Sequence, residues 1–383
     1  MKRTLDVAIV GYGTAGVAAA LQLRRRGCRI THFDRDAPPR AEGAGMLLHP
    51  AALRALGGLG VLSAVMESGA SVERLLALTS GGRVIMNVGY ADFGMGRFAI
   101  GIQRGTLHRL LRDADAGREQ VRGGANIVDV DPSAGYLRTD TGAWHGPFDL
   151  VVVADGTYSR LRDRLSLSMR WKRPSGSAAM VGLVDDPRGV AGNHITQYFD
   201  GTFHLSLWPV GRESRSSPTR CSIAMNVALE NAEAFLDRGL WRERVAQLHP
   251  GILDLVDASK DGVRWRIFTY QDVELNECFK GRAVVIGDAA HSMSPQLGTG
   301  AQLAMEDAAM LAQAIDDHDD VLAALRRYSV TRSSQLRRYH RLSRWLTPLF
   351  QSESRLLATV RDRMLGDAMR TPLARRVVQT LLS

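Results

Sequence analysis

Lysine is nearly missing from this 383-residue chain: Lys2, Lys172, Lys260 and Lys280 are four among 49 cationic residues, and the net charge is +9. So strong a bias towards arginine reads as codon usage rather than selection for phosphate contacts, which argues against nucleic acid as a partner. The excess charge is local. Thirteen arginines between Arg326 and Arg376 face only Glu353, Asp362 and Asp367. A basic C-terminal stretch of this kind is either a solvated helical face or a weak attractor of anionic membrane surface.

Cysteine is also scarce. Cys28, Cys221 and Cys278 are far apart, form no CxxC and offer no metal-ligand spacing, so no metal centre and no disulfide framework is expected. Long apolar runs are missing too. An uncharged stretch, residues 7–23, follows Lys2 and Arg3 like a signal peptide, but it holds Gly11, Gly13 and Gly16 and is short for a membrane span. A soluble, cytoplasmic protein is expected. With 45% hydrophobic residues over this length, a core large enough for a buried cofactor is easily built.

What is present begins with a βαβ pattern. Residues 5–10 read as a buried parallel strand, 14–25 as a helix and 29–33 as a second strand. Pro38 and Pro39 start a loop, and 50–57 read as a short helix opened by Pro50. Residues 72–98 turn β-like, 105–115 helical, and 125–153 form short strands. A mainly β stretch follows from 169 to 270, with a helical interruption near 230–247. A buried strand at 283–287 precedes helices at 300–316 and 320–345 and a basic, helical tail after Pro348. The fold class is therefore α/β: a discontinuous Rossmann-type domain (1–75, 100–168, 275–340), an inserted mainly β substrate domain (76–99, 169–274) and a C-terminal helical tail (341–383). Pockets tend to form where such domains meet.

The chemistry-bearing motif is Gly11-Tyr12-Gly13-Thr14-Ala15-Gly16, directly after a strand and opening a helix. Gly11 permits the tight turn, Gly13 the close approach of a pyrophosphate, and Gly16 the packing of helix on strand. The helix N-terminus presents free N–H groups to phosphate. Asp34, at the end of the second strand, can accept hydrogen bonds from ribose hydroxyls. A dinucleotide site follows, but not its identity.

Two further segments narrow it: Asp155-Gly156-Thr157-Tyr158-Ser159-Arg160-Leu161-Arg162 after the apolar 150–154, and Gly287-Asp288-Ala289-Ala290-His291 through Pro295-Gln296-Leu297-Gly298-Thr299-Gly300-Ala301 to Glu306-Asp307-Ala308. With the N-terminal glycines, these resemble the three fingerprints of the class A, p-hydroxybenzoate hydroxylase-like flavoprotein monooxygenases, over about residues 5 to 310. The resemblance implies FAD as cofactor and NADPH or NADH as a transient donor. It also implies hydroxylation of a small aromatic or heteroaromatic substrate with O2 through a flavin C4a-hydroperoxide. It places Gly11, Gly13, Thr14, Ala15, Gly16, Asp34 and Arg35 on the ADP half of FAD, and Arg104 on the phosphates or ribityl chain. Asp155 and Gly156 are linked to FAD and the donor, and Gly287 and Asp288 to the ribityl region. Pro295 lies near the isoalloxazine ring, and Gly298, Gly300 and Ala301 at its pyrimidine edge.

Substrate residues are harder to read. His49, in a segment resembling the one beside the flavin, is a candidate base or a partner of a backbone carbonyl. Tyr198 and His204 are candidate pocket contacts, Trp208 reads as core, and Tyr90 is a further loop candidate. His291 reads as structural, while Arg160 and Arg162 are open between the donor and nearby carboxylates. A flavin reductase or oxidase on the same fold, or an FAD-containing binding module using the basic tail, remain the alternatives. The WxWxIP segment of flavin-dependent halogenases has no counterpart. A monomer or homodimer is expected.

Overall fold

A computed structural model describes residues 3–37, 44–116, 121–237, 239–259, 262–351, 354–368 and 371. Pro38, Pro39, Gly43 and the tail beyond Thr371 lie outside the described residues. The central sheet runs in the order Phe279–Lys280, Ala283–Val285, Leu150–Val153, Asp6–Val10, Arg29–Asp34, Val121–Gly123. All pairs are parallel except the first. The strands pack on both faces, as a parallel sheet requires. Val7, Ile9, Leu150, Val152 and Val284 enter one core, whereas Ala8, Val10, Val151, Val153 and Val285 enter the other. Alternation of side chains along the strand decides which residue goes where.

The first core is closed by helices Thr14–Arg24 and Gly300–Asp317, which pack on each other. Seven consecutive buried residues, Ala15–Leu21, let the first helix be surrounded on nearly every side. The expected helices at 50–57 and 105–115 are found as Pro50–Leu59 and Arg104–Ala114. The last long helix differs: Val321–Gln351 continues through Pro348 instead of stopping before it, and Arg355–Ala368 follows.

A second, seven-stranded sheet is drawn from residues 74–89 and 169–275. Its inner order is Arg220–Ala228, Phe203–Gly211, His194–Asp200, Arg74–Thr79. One face carries Met180, Leu205, Leu207, Ile223 and Met225 and is covered by helices between Ala232 and Ala258. Residues 45–48, expected as loop, form a strand in a small sheet with Ala99–Gln103 and Ala70–Val72. Four residues beginning with glycine carry no readable period. What makes them a strand is the edge of Ala99–Gln103, which pairs Gly45 with Gln103 and Leu48 with Ile100.

Candidate active site

The glycine turn is shaped by backbone rather than side chains. Gly11 has φ +101°, and a Cβ there would lie 2.3 Å from the Ala154 carbonyl oxygen. A Cβ on Gly16 would lie 1.9 Å from the Gly11 oxygen. His32, held neutral by burial with its pKa lowered to about 4, donates from Nε2 to that same oxygen at 2.9 Å. Asp34 is oriented by two backbone donors, Tyr12 N to Oδ2 at 2.6 Å and Asp36 N to Oδ1 at 2.9 Å. A carboxylate oxygen can accept more than one hydrogen bond, so ribose hydroxyls still find acceptors.

The three motifs converge. Gly287, at φ +61°, comes so near the first helix that a Cβ would sit 2.6 Å from that of Ala15. The Asp288 carboxylate faces Gly300, 3.8 Å from where its Cβ would be. Arg162 is almost wholly buried and donates to the carbonyls of Thr157 and Ala289 at 3.1 and 3.0 Å, tying the second motif to the third. Its guanidinium is thus engaged by the protein's own carbonyls, whereas Arg160 stays exposed. His291 is structural, bonded through Nε2 to Asp307 at 2.6 Å. Asp307 also accepts from Gly287 N at 2.7 Å and pairs with buried Arg332 at 2.5 Å. Burial pushes the Asp307 carboxyl up, but His291 and Arg332 beside it outweigh that and hold it far below the usual range. Asp307 lies inside the third motif, but nothing in the sequence couples it to Arg332.

Whether these residues fit FAD is decided by what surrounds them. Cβ atoms built on Gly13 and Gly156 meet nothing within 4 Å, unlike those on Gly11 and Gly16. Gly156 is held to glycine by its φ of +91°, but Gly13 has no such constraint, so glycine there answers to something other than protein packing or backbone strain. Asp155 Oδ1 and Gln103 Nε2 are buried without a protein partner, and buried polar atoms are normally satisfied. Gln103 escaped the sequence reading, although it adjoins Arg104. Arg104 opens its helix with its backbone N bonded to Ala44 O at 3.0 Å, leaving its side chain exposed, as is that of Arg35. Thr14 and Ala301 sit in the first turns of the helices Thr14–Arg24 and Gly300–Asp317. The open space at Gly13 and the unsatisfied Asp155 and Gln103 fit a bound adenine dinucleotide.

The comparisons with known proteins agree. The family described as FAD binding domain matches residues 4–332. The chain belongs to that family. A 2-heptyl-3-hydroxy-4(1H)-quinolone synthase of Mycobacteroides abscessus is 28% identical over 84% of this chain and 84% of its own length. An aurachin C monooxygenase/isomerase of Stigmatella aurantiaca is 28% identical over 95% and 94%. In fold, the chain matches HpxO of Klebsiella pneumoniae, solved with FAD and uric acid, at TM-score 0.81 and 21% identity over 99% and 96% of the two chains. This member of the family is an FAD-dependent monooxygenase that draws electrons from NAD(P)H and acts on aromatic rings.

The substrate candidates separate. Tyr198 faces the helix-covered side of the seven-stranded sheet, against His249 at a ring distance of 5.6 Å. His204 pairs across the strands with Phe199, stacks on its ring at 4.4 Å and hydrogen-bonds Ser206, on the opposite face. One pocket cannot be lined by both. The His204 face is the one that meets the small sheet of Gly45–Leu48 and Ala99–Gln103. Its neighbour Ser222 accepts from Gly45 N at 3.2 Å, and Trp208 lies against Gly101 with its Nε1 buried and unpartnered. Trp208 is thus buried as expected, but at this junction.

His49 does not stand free as a base. Its Nδ1 is 2.7 Å from the Tyr90 hydroxyl, and the ring also hydrogen-bonds the Leu297 backbone. Burial lowers its pKa to about 4. Pro295 opens the short turn Pro295–Leu297, and Gly298 closes it at φ +62°.

Proposed function

We propose that the enzyme hydroxylates an uncharged heteroaromatic ring of the quinolone type, bound on the His204 face of the seven-stranded sheet. The observation that carries this is the chemistry of that face: Gln197, His204, Ser206 and Asn226 are neutral hydrogen-bonding groups in neighbouring register positions. His204 is kept uncharged by burial and by the nearby Arg361, which lower its pKa to about 3. Arg361 itself is engaged: it lies 4.1 Å over the Phe199 ring, donates to Gly201 O and pairs with Asp362. A ring bearing a carboxylate needs a fixed cationic partner. A ring whose edge is a carbonyl and an N–H needs donors and acceptors of the kind found here. The relative named as a 2-heptyl-3-hydroxy-4(1H)-quinolone synthase supports the same class.

Bound FAD supplies the electron transfer to O2. The protein's part is to hold the ring against it and keep water out, because oxygen activated in the open is lost as peroxide. The domain division given above is part of this reading, and the span of the seven-stranded sheet supports it. The donor binds transiently, since the chain has a single GxGxxG. The enzyme works in the cytoplasm as a monomer or homodimer. Trp345, 84% exposed one turn beyond exposed Arg341, gives the basic helix a weak foothold on anionic membrane.

The test supplies labelled O2 and NAD(P)H with 2-alkyl-4-quinolones and with hydroxybenzoates. The quinolone should accelerate NAD(P)H oxidation and gain one labelled oxygen. Faster, coupled turnover of a hydroxybenzoate would overturn the substrate class, and peroxide as the sole oxygen product would favour an oxidase.

A further inference from the structure

We infer that His49 is a positioning residue that locks the Pro295–Gly298 turn to the seven-stranded sheet through Tyr90, and so sets the distance between flavin and substrate. The inference rests on the reading that FAD lies along this turn. His49 and Tyr90 are 4% and 1% exposed, so neither gains its partner from solvent. A neutral imidazole carries one N–H. The Leu297 backbone bond raises the ring's pKa, as an accepting carbonyl does, and Nδ1 is taken by Tyr90; the proton therefore sits on Nε2, and Nδ1 accepts from the Tyr90 hydroxyl. The chain Tyr90 O–H to Nδ1, then Nε2–H to Leu297 C=O, therefore has one consistent proton arrangement. Burial preserves it by keeping the ring neutral and the phenol protonated.

Each end of the chain is anchored. Tyr90 follows the sheet strand Val84–Gly89, and its backbone N donates to Glu73 O at 2.9 Å. His49 caps the helix Pro50–Leu59, its carbonyl accepting from Leu53 N at 3.1 Å. On the other side, Ser294 N donates to Asp272 at 3.0 Å and Val273 N donates to Ser292 O at 2.8 Å, binding the approach to the turn to the same sheet. The turn is thus pinned from both flanks, and His49 is the flank that reaches Gly298. A Cβ on Gly298 would lie 3.1 Å from His49 Nε2.

The experiment compares His49→Ala, His49→Gln and Tyr90→Phe with the wild type, each loaded with FAD. The readouts are FAD content, the visible absorption and fluorescence of bound FAD, and peroxide formed per NAD(P)H oxidised with a 2-alkyl-4-quinolone. His49→Ala should keep FAD, change the flavin spectrum and raise the peroxide fraction several-fold. His49→Gln should recover most of the coupling, because its amide N–H can still reach Leu297. Tyr90→Phe should fall between. A spectrum and coupling ratio unchanged in His49→Ala would overturn the proposal. So would Gln failing as fully as Ala while turnover of both recovers at high pH, which is the behaviour of a lost base. Loss of FAD from His49→Gln would make the residue a folding element instead and equally overturn it. A wild type that binds no FAD fails the underlying reading, not this one.

Discussion

The glycine-built cleft and the seven-stranded sheet are built by opposite means. In the cleft the determining contacts are backbone to backbone: the hypothetical Cβ of Gly16 against Gly11 O, that of Gly11 against Ala154 O. On the sheet they are side chain to side chain, as in Phe199 on His204 and Ser206 beside Gln197. A site made of backbone tolerates one residue type at each crossing. A site made of side chains tolerates many, and its specificity resides in which face each one occupies.

The sharpest way to break this contrast lies inside the glycine motif. Gly16→Ala places a methyl 1.9 Å from a carbonyl oxygen, so it should destabilise the protein itself, with or without FAD, by about 3 kcal/mol or more. Gly13→Val meets no protein atom near its Cβ, so thermal stability without FAD should stay close to wild type while FAD affinity falls more than about tenfold. Differential scanning calorimetry and FAD titration separate the two. Equal destabilisation of both apoproteins would mean that Gly13 answers to the protein fold after all.

Acid should come next in size. His32 and His49, both nearly fully buried, have pKa values lowered to about 4, and buried His340 to about 3. The unfolded chain protonates such groups near 6.5, so below that pH it binds more protons than the folded state. Stability therefore falls as pH drops from about 6.5 towards 4, by up to about 1.4 kcal/mol per pH unit for each histidine. Asp307, whose carboxyl is depressed, acts in the same direction at lower pH: its contribution is present above the ordinary carboxylate pKa and is lost as pH falls below it. Melting temperatures between pH 8 and 4 test this, and His49→Gln should flatten the slope. A flat profile would show these histidines charged or exposed.

The smallest effect discriminates the two faces of the sheet. Tyr198→Phe, on the helix-covered face, should leave KM for the aromatic substrate nearly unchanged. His204→Ala, on the opposite face, should raise it several-fold. The reverse order would place the pocket beneath the helices.

The same contrast explains what could be read from the sequence. Gly11, Gly13 and Gly16, with the strand before them and Asp34 after, encode a local geometry, so the cleft was legible from spacing alone, and the two later fingerprints completed it. Residues 45–48 were not legible, because their strand exists only where Ala99–Gln103 offers an edge. Nor was the separation of Tyr198 from His204. Parity orders residues within one strand, but the register between His194–Asp200 and Phe203–Gly211 is needed to relate two. The bond from His49 to Tyr90 spans 41 positions, and that from Asp307 to Arg332 spans 25, with no pattern between them to announce either.

The order of strands in the central sheet has a consequence for how the protein is made. Asp6–Val10 lies between strands that end near residues 34 and 153, and the third fingerprint joins only after Ala283–Val285. A ribosome thus releases the glycine turn hundreds of residues before Gly287, Asp288 and Arg332 exist to complete the cleft. During that interval the apolar first strand has only part of its sheet to pair with. Retention of FAD is therefore a late event in biosynthesis, and a chain cut short before Arg332 loses the buried cation opposite Asp307 while keeping the whole of its first fingerprint.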